Sequence, residues 1–147
     1  MIPSFLDANI PILATGPAIA PKDECLRLLG LARAYPGSCV TSAEVLQEVF
    51  HVLHRRVLPE RLQQTLALVT GAVHGNVVPM LAFVVLRAAS LDLRHLQARD
   101  LVHLATMERL GISAIISTDT GFDGVPGVRR LDPLLLATWR DEVFATP

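Results

Sequence analysis

Residues 112–116 end on Ala114-Ile115-Ile116 and lack the apolar–polar alternation of a strand with one wet face. A short run of this kind fits a parallel strand buried on both sides, and such a strand needs helices above and below it. The remaining pattern supplies them. Short apolar strands are expected at 2–6, 39–41, 77–78 and 128–131, and helical spacing runs through 22–34, 42–56, 59–74, 80–93 and 98–110. Pro59 suits the first turn of its helix, where a missing N–H costs nothing, and Gly111 closes the 98–110 helix. Pro133 opens a terminal helix reaching about Val143. Strands separated by helices predict an α/β fold with a short central parallel sheet flanked by helices.

A chain of 147 residues corresponds to one domain, taken as 1–147. Folding at this length buries about two-thirds of the unfolded surface, so stability needs neither disulfides nor structural metal. Hydrophobic residues at 51% and charged residues at 18% exclude a disordered or fibrous chain. The longest apolar run, 77–86, is about half of what a membrane span needs, and the N-terminus lacks the pattern of a secretory signal; the expected compartment is the cytoplasm. Cys25 and Cys39 have no metal-site spacing and read as small buried hydrophobes. A net charge of −1 excludes nucleic-acid binding by bulk charge alone.

Ligands of open parallel sheets collect beyond the carboxyl ends of the strands, and the acids can be sorted by that rule. Asp7 follows the first strand, and Asp119 follows the 112–116 strand after Ser117-Thr118. Asp100 lies in the first turn of the helix preceding that strand. Glu44 and Glu48 share a face of the 42–56 helix. Thr41-Ser42-Ala43-Glu44 matches a capping box in which Glu44 reaches back to the Thr41 N–H, giving Glu44 a structural role. Glu48 interrupts Val45, Leu46, Val49 and Phe50 without such a role and is the better candidate for chemistry. Plainer roles exist for the others: dipole complement for Asp100, turn residues for Asp119 and Asp123, helix cap for Asp7, though Asn9 before Pro11 suits a cap better. Crowded carboxylates raise one another's pKa, and a cation relieves them. Oxygen-only ligation favours magnesium or manganese. The 119–124 run resembles a calcium loop, but its twelfth position is Arg130 where a glutamate is required.

The segments Phe5-Leu6-Asp7-Ala8-Asn9, Thr41-Ser42-Ala43-Glu44-Val45-Leu46-Gln47-Glu48, Ala98-Arg99-Asp100-Leu101-Val102-His103-Leu104-Ala105-Thr106 and Ile115-Ile116-Ser117-Thr118-Asp119-Thr120-Gly121-Phe122-Asp123 resemble, in order and spacing, the signature segments of PIN-domain ribonucleases. The resemblance is closest to VapC toxins of toxin–antitoxin pairs. It implies an acidic quartet of Asp7, Glu48, Asp100 and Asp119, with Ser117 and Asn9 as supporting polar residues. Gln97 departs from the Ser or Thr that often caps the helix carrying Asp100. The resemblance further implies Mg2+- or Mn2+-dependent cleavage of an RNA substrate, a homodimer, and inhibition by a small antitoxin whose tail fills the acidic groove.

The corresponding chemistry has Asp7 and Asp100 as the main metal ligands, with Glu48 and Asp119 ligating directly or through water. A water activated there attacks the phosphodiester and leaves 5′-phosphate and 3′-hydroxyl ends. His103, one turn beyond Asp100, reads as a satisfied helix histidine. Arg55, Arg56 and Arg61 form one cluster that could meet phosphates, and Arg129-Arg130 a second, against a default of solvated surface. Aromatics at 5% argue against a base-stacking platform and for a folded RNA. Aspartate-nucleophile phosphohydrolases need an acid where Asn9 stands, and receiver domains need a late lysine, whereas the one lysine is Lys22. The non-enzymatic alternative is a catalytically silent PIN-type module that binds RNA or protein.

Overall fold

The computed structural model describes residues 2–145. At its centre lies β1 (Ser4–Leu6), parallel to β2 (Cys39–Ser42) on one side and to β4 (Ala114–Ile116) on the other. Two edge strands, β3 (Val77–Val78) and β5 (Arg129–Leu131), complete the parallel order β3-β2-β1-β4-β5. The period of two sends successive residues to opposite faces. Phe5, Val40 and Ile115 therefore enter one core, while Leu6, Cys39, Ile116 and Leu131 enter the other. The unalternating sequence is the mark of these two cores.

The Leu6–Ile116 face is covered by α1 (Asn9–Ala14), α2 (Lys22–Ala34), part of α4 (Pro59–Ala72) and the terminal α7 (Leu136–Val143). The Phe5–Ile115 face receives Val45, Val49 and Leu53 of α3 (Ala43–Arg55) and Leu104 and Met107 of α6 (Ala98–Leu110). Helix α5 (Ala82–Ala89) packs Val84 and Ala88 against Ala105 of α6. Cys25 and Cys39 are buried free thiols that burial pushes up to about 12, so both stay protonated. Among the described residues no helix is long and apolar enough to cross a membrane.

Several local expectations are corrected. Helix α1 starts one residue earlier than a cap at Asn9 implies: Asn9 is its first residue, Ala8 stands at the cap position, and Pro11 is tolerated in the first turn. Ser42, not Thr41, caps α3, accepting from the Val45 N–H at 3.3 Å, while the Thr41 hydroxyl donates to the Leu6 carbonyl at 2.9 Å. The Glu44 capping bond drawn from sequence is therefore replaced by a cap one residue later. The helix expected over 80–93 shortens to α5 because Leu81 is extended and the chain turns at Ser90. The terminal helix begins with a 3-10 turn, Pro133–Leu135, whose first N–H groups are served by Asp132. The first strand starts at Ser4 and leaves Ile2 exposed.

Ile115 and Ile116 are both fully buried on opposite faces. Ile115→Ala and Ile116→Ala should each lose roughly 2–5 kcal/mol in urea unfolding. A loss at only one of the two would show that one face of β4 is wet.

Candidate active site

The carboxyl ends of β1 and β4 are joined by side chains. The Asp7 side chain is 6% exposed; its Oδ1 accepts from the Ala8 N–H at 2.7 Å and its Oδ2 from the Ser117 hydroxyl at 2.6 Å and the Asn9 amide at 2.9 Å. Ser117 Oγ in turn accepts from Asn9 Nδ2 and from the Asp119 N–H, each at 3.0 Å, so its one donor and two acceptor sites are all used. Asn9 Oδ1 accepts from the Thr118 N–H at 3.3 Å. Asn9 and Ser117 thus both donate to the Asp7 carboxylate and hold its rotamer.

Above Asp7, α3 brings Glu48 and α6 brings His103. Suitable atoms of Asp7, Glu48 and His103 lie within 4.8 Å of one another. His103 Nε2 is 3.7 Å from Asp7 Oδ1 and 3.5 Å from Glu48 Oε2, and its fully buried ring lies 5.4 Å from Phe5. Neither contact has hydrogen-bond geometry, so Glu48 Oε2 and both ring nitrogens are buried without a partner. The expectation of a satisfied helix histidine is thereby overturned. The available signal was its position three residues after Asp100, which puts both on one face of α6. Glu48 Oε1 is 3.3 Å from Arg99 Nη1.

Asp100 and Asp119 stand outside this compact group. Asp100 is half-buried and uses Oδ2 to accept from the Gln97 N–H at 3.0 Å, so it closes the start of its own helix although Gln97 replaces the usual hydroxyl. Asp119 is exposed, and its Oδ1 accepts from the Gly121 N–H at 2.8 Å. A Cβ on Gly121 would lie 3.0 Å from that oxygen and 2.9 Å from Leu96 Cδ2, which explains the glycine. Each of the two acids fills the structural role open to it and keeps its other oxygen free of any described hydrogen bond.

The arginine pairs are largely committed elsewhere. Arg130 makes a two-pronged bond to Asp123 and also reaches Asp132 and the Ser117 carbonyl. Arg129 pairs with Glu142, and Arg61 is tied to the Ile12 carbonyl and Thr15. Of the groups considered for phosphate binding, Arg55 and Arg56 remain exposed at the end of α3.

Burial pushes the Asp7 carboxyl above its ordinary value against the pull of His103 and Ser117, and the Glu48 charge adds to the rise. Burial raises Asp100 as well, with Asp119 and Glu48 contributing. Burial pulls the His103 ring down, but Glu48, Asp7 and Asp100 outweigh it and the net shift is upward. In a wet ion pair the acid would fall as the histidine rises; here burial, the largest cause at Asp7, lifts the acid as well.

The folded state then holds more protons than the unfolded state as pH rises above 3.8 for the aspartates and above 6.5 for His103. Stability is lost as pH climbs through the raised values. Asp123 and Glu108, drawn down by their arginines, shift the other way and weaken the fold only in acid. In chelator, the melting temperature should peak at mildly acidic pH and fall toward alkaline pH, with a shallower fall in Asp7→Asn. A melting temperature that climbs steadily to alkaline pH would mean that the carboxylates are stabilised as ions.

The PIN domain family model matches residues 4–128. A VapC ribonuclease of Mycobacterium bovis and Ribonuclease VapC13 of Mycobacterium tuberculosis are each 37% identical over 132 residues, spanning 86% of this chain and 98% of the relative. Among solved structures, VapC20 of Mycobacterium tuberculosis, a sarcin-ricin loop cleaving toxin, superposes with a TM-score of 0.64 at 22% identity, over 85% of this chain and 98% of that one. A toxin–antitoxin complex from Klebsiella pneumoniae gives 0.59 at 22% identity, over 88% and 97%. Those two show the shared fold; the family match and the closer sequences establish that the chain belongs to the PIN domain family, in its VapC-type branch.

Proposed function

We propose that this protein is a metal-dependent endoribonuclease of the toxin kind that hydrolyses RNA phosphodiesters at the Asp7–Glu48 end of the sheet. The observation that carries the reading is the meeting of Asp7, Glu48 and His103, in which Glu48 Oε2 and both His103 nitrogens make no hydrogen bond, since a structural cluster would have satisfied them. Such a donor set fits a divalent cation, Mg2+ or Mn2+. When bound, the cation supplies charge balance and activation of a water.

The chain's own residues do the rest. Asp7 and Glu48 would hold the cation from two elements, with Asp100 and Asp119 joining directly or through water, and Ser117 with Asn9 holds the Asp7 carboxylate in one orientation. Water oxygen bonds to phosphorus as the bond to the 3′ oxygen breaks, leaving 5′-phosphate and 3′-hydroxyl ends. Scarcity of aromatics supports a structured RNA as substrate, and the VapC20 neighbour is itself a sarcin-ricin loop cleaving toxin. The Klebsiella neighbour, a toxin in complex with its antitoxin, supports a small antitoxin partner for this chain. Pairing into a homodimer and a cytoplasmic setting complete the reading.

The decisive experiment incubates the purified protein with folded and unstructured RNAs in Mg2+, Mn2+ or chelator. Cleavage should require the cation and yield 5′-phosphate ends, and Asp7→Asn should lower it by more than about 100-fold, Ser117→Ala by roughly 10–100-fold. Silence on every RNA from folded, metal-binding protein would replace this reading with a silent binding module. Asp100→Asn and Asp100→Ala should both lose activity but differ in stability. An amide oxygen can still accept from the Gln97 N–H, so the asparagine variant should melt no lower than the parent without metal, whereas alanine should lose about 1 kcal/mol.

A further inference from the structure

His103 is the one polar side chain at the site that the all-oxygen reading leaves without a task. Its ring is fully buried, neither nitrogen makes a hydrogen bond, and Nε2 faces two carboxylate oxygens at 3.7 and 3.5 Å. A buried imidazole with neither nitrogen satisfied is costly, and native interiors rarely keep one without use. The hydrogen bonds that would make it a positioning group for Asp7 are already made by Ser117, Asn9 and the Ala8 N–H. Its nitrogen instead stands 3.7 and 3.5 Å from an oxygen of each acid, and the three residues offer ligand atoms all within 4.8 Å of one another. In a four-coordinate site with bonds of about 2.0–2.2 Å, neighbouring donors stand roughly 3.3–3.6 Å apart. In an octahedral magnesium site the spacing is nearer about 3 Å.

We propose that His103 Nε2 is a direct ligand of the catalytic cation, so that the inner site is a mixed nitrogen–oxygen site selecting a borderline first-row cation, from Mn2+ to Zn2+, over Mg2+. The proposal rests on the nuclease reading for the word catalytic, but the ligand itself is tested without RNA. Imidazole adds much to the binding of first-row transition ions and little to that of magnesium, which prefers oxygen and retains water. The four-residue path Asp100-Leu-Val-His103 would then place a rim carboxylate and a buried nitrogen of one helix face on the same ion.

The test loads the wild-type protein with one equivalent of Mn2+ and records electron spin echo modulation from directly bound nitrogen, with and without 15N-labelled histidine. Titration calorimetry with Co2+ and Mg2+ accompanies it for the wild type and His103→Gln. The expected result is a histidine nitrogen signal in the wild type that is lost in His103→Gln, a fall of at least about tenfold in Co2+ affinity, and a Mg2+ affinity changed far less. An echo without histidine nitrogen overturns the proposal on the wild type alone, even if the variant fails to fold. Equal losses for Co2+ and Mg2+ overturn it too, because they mark a residue that shapes the pocket without binding the ion. A nitrogen signal from a protein that cuts no RNA would keep the ligand and reject the nuclease.

Discussion

A carboxylate held almost out of water at the end of the central strand is the constraint around which this domain is arranged. Asp7 can be buried there because three donors converge on it, and the shortest contact, the 2.6 Å bond, comes from Ser117, the residue that follows the neighbouring strand β4. Ser117 must then stay where it is. It does so because its own lone pairs are filled by Asn9 and the Asp119 N–H, and because its carbonyl accepts from Arg130. Arg130 in turn grips Asp123 and Asp132, so the turns after β4 and β5 are braced together behind the site. The arginine that sequence offered to phosphate serves as an internal strut.

The parts legible in the sequence share a physical cause. Helices α2, α3 and α6 are long enough for their apolar spacing to show, and β4 betrays its two-sided burial by its lack of alternation. Glu48 was separable from Glu44 because an acid within an apolar face has to answer to something inside the protein. What was not legible depended on contacts distant along the chain. Helix α1 has only six residues and a proline, too little for a period to appear. The cap of α3 moved from Thr41 to Ser42 because the Thr41 hydroxyl found the Leu6 carbonyl, 35 positions away. His103 looked like an ordinary core histidine because its environment is set by β1 and α3, neither of which its own segment reveals.

The two tiers of acids divide the labour in a way that their local bonds explain. Asp100 and Asp119 each spend an oxygen on starting a helical turn, which anchors them at the rim at little cost to the fold. Asp7 and Glu48 sit deeper, and Arg99 lies against the outer oxygen of Glu48. That arginine offsets part of the negative charge where the acids converge.

The Asp7–Ser117 bond joins residues 110 positions apart, and that separation has a consequence for synthesis. Closing so long a loop carries an entropic cost that only the nearly finished sheet can offset. While a ribosome is still making the first two-thirds of the chain, Asp7 has neither its strand neighbour nor its hydroxyl partner, and Glu48 has no His103 to face. The site's geometry is a late product of folding, fixed only once β4 and the Ser117 turn pack against β1.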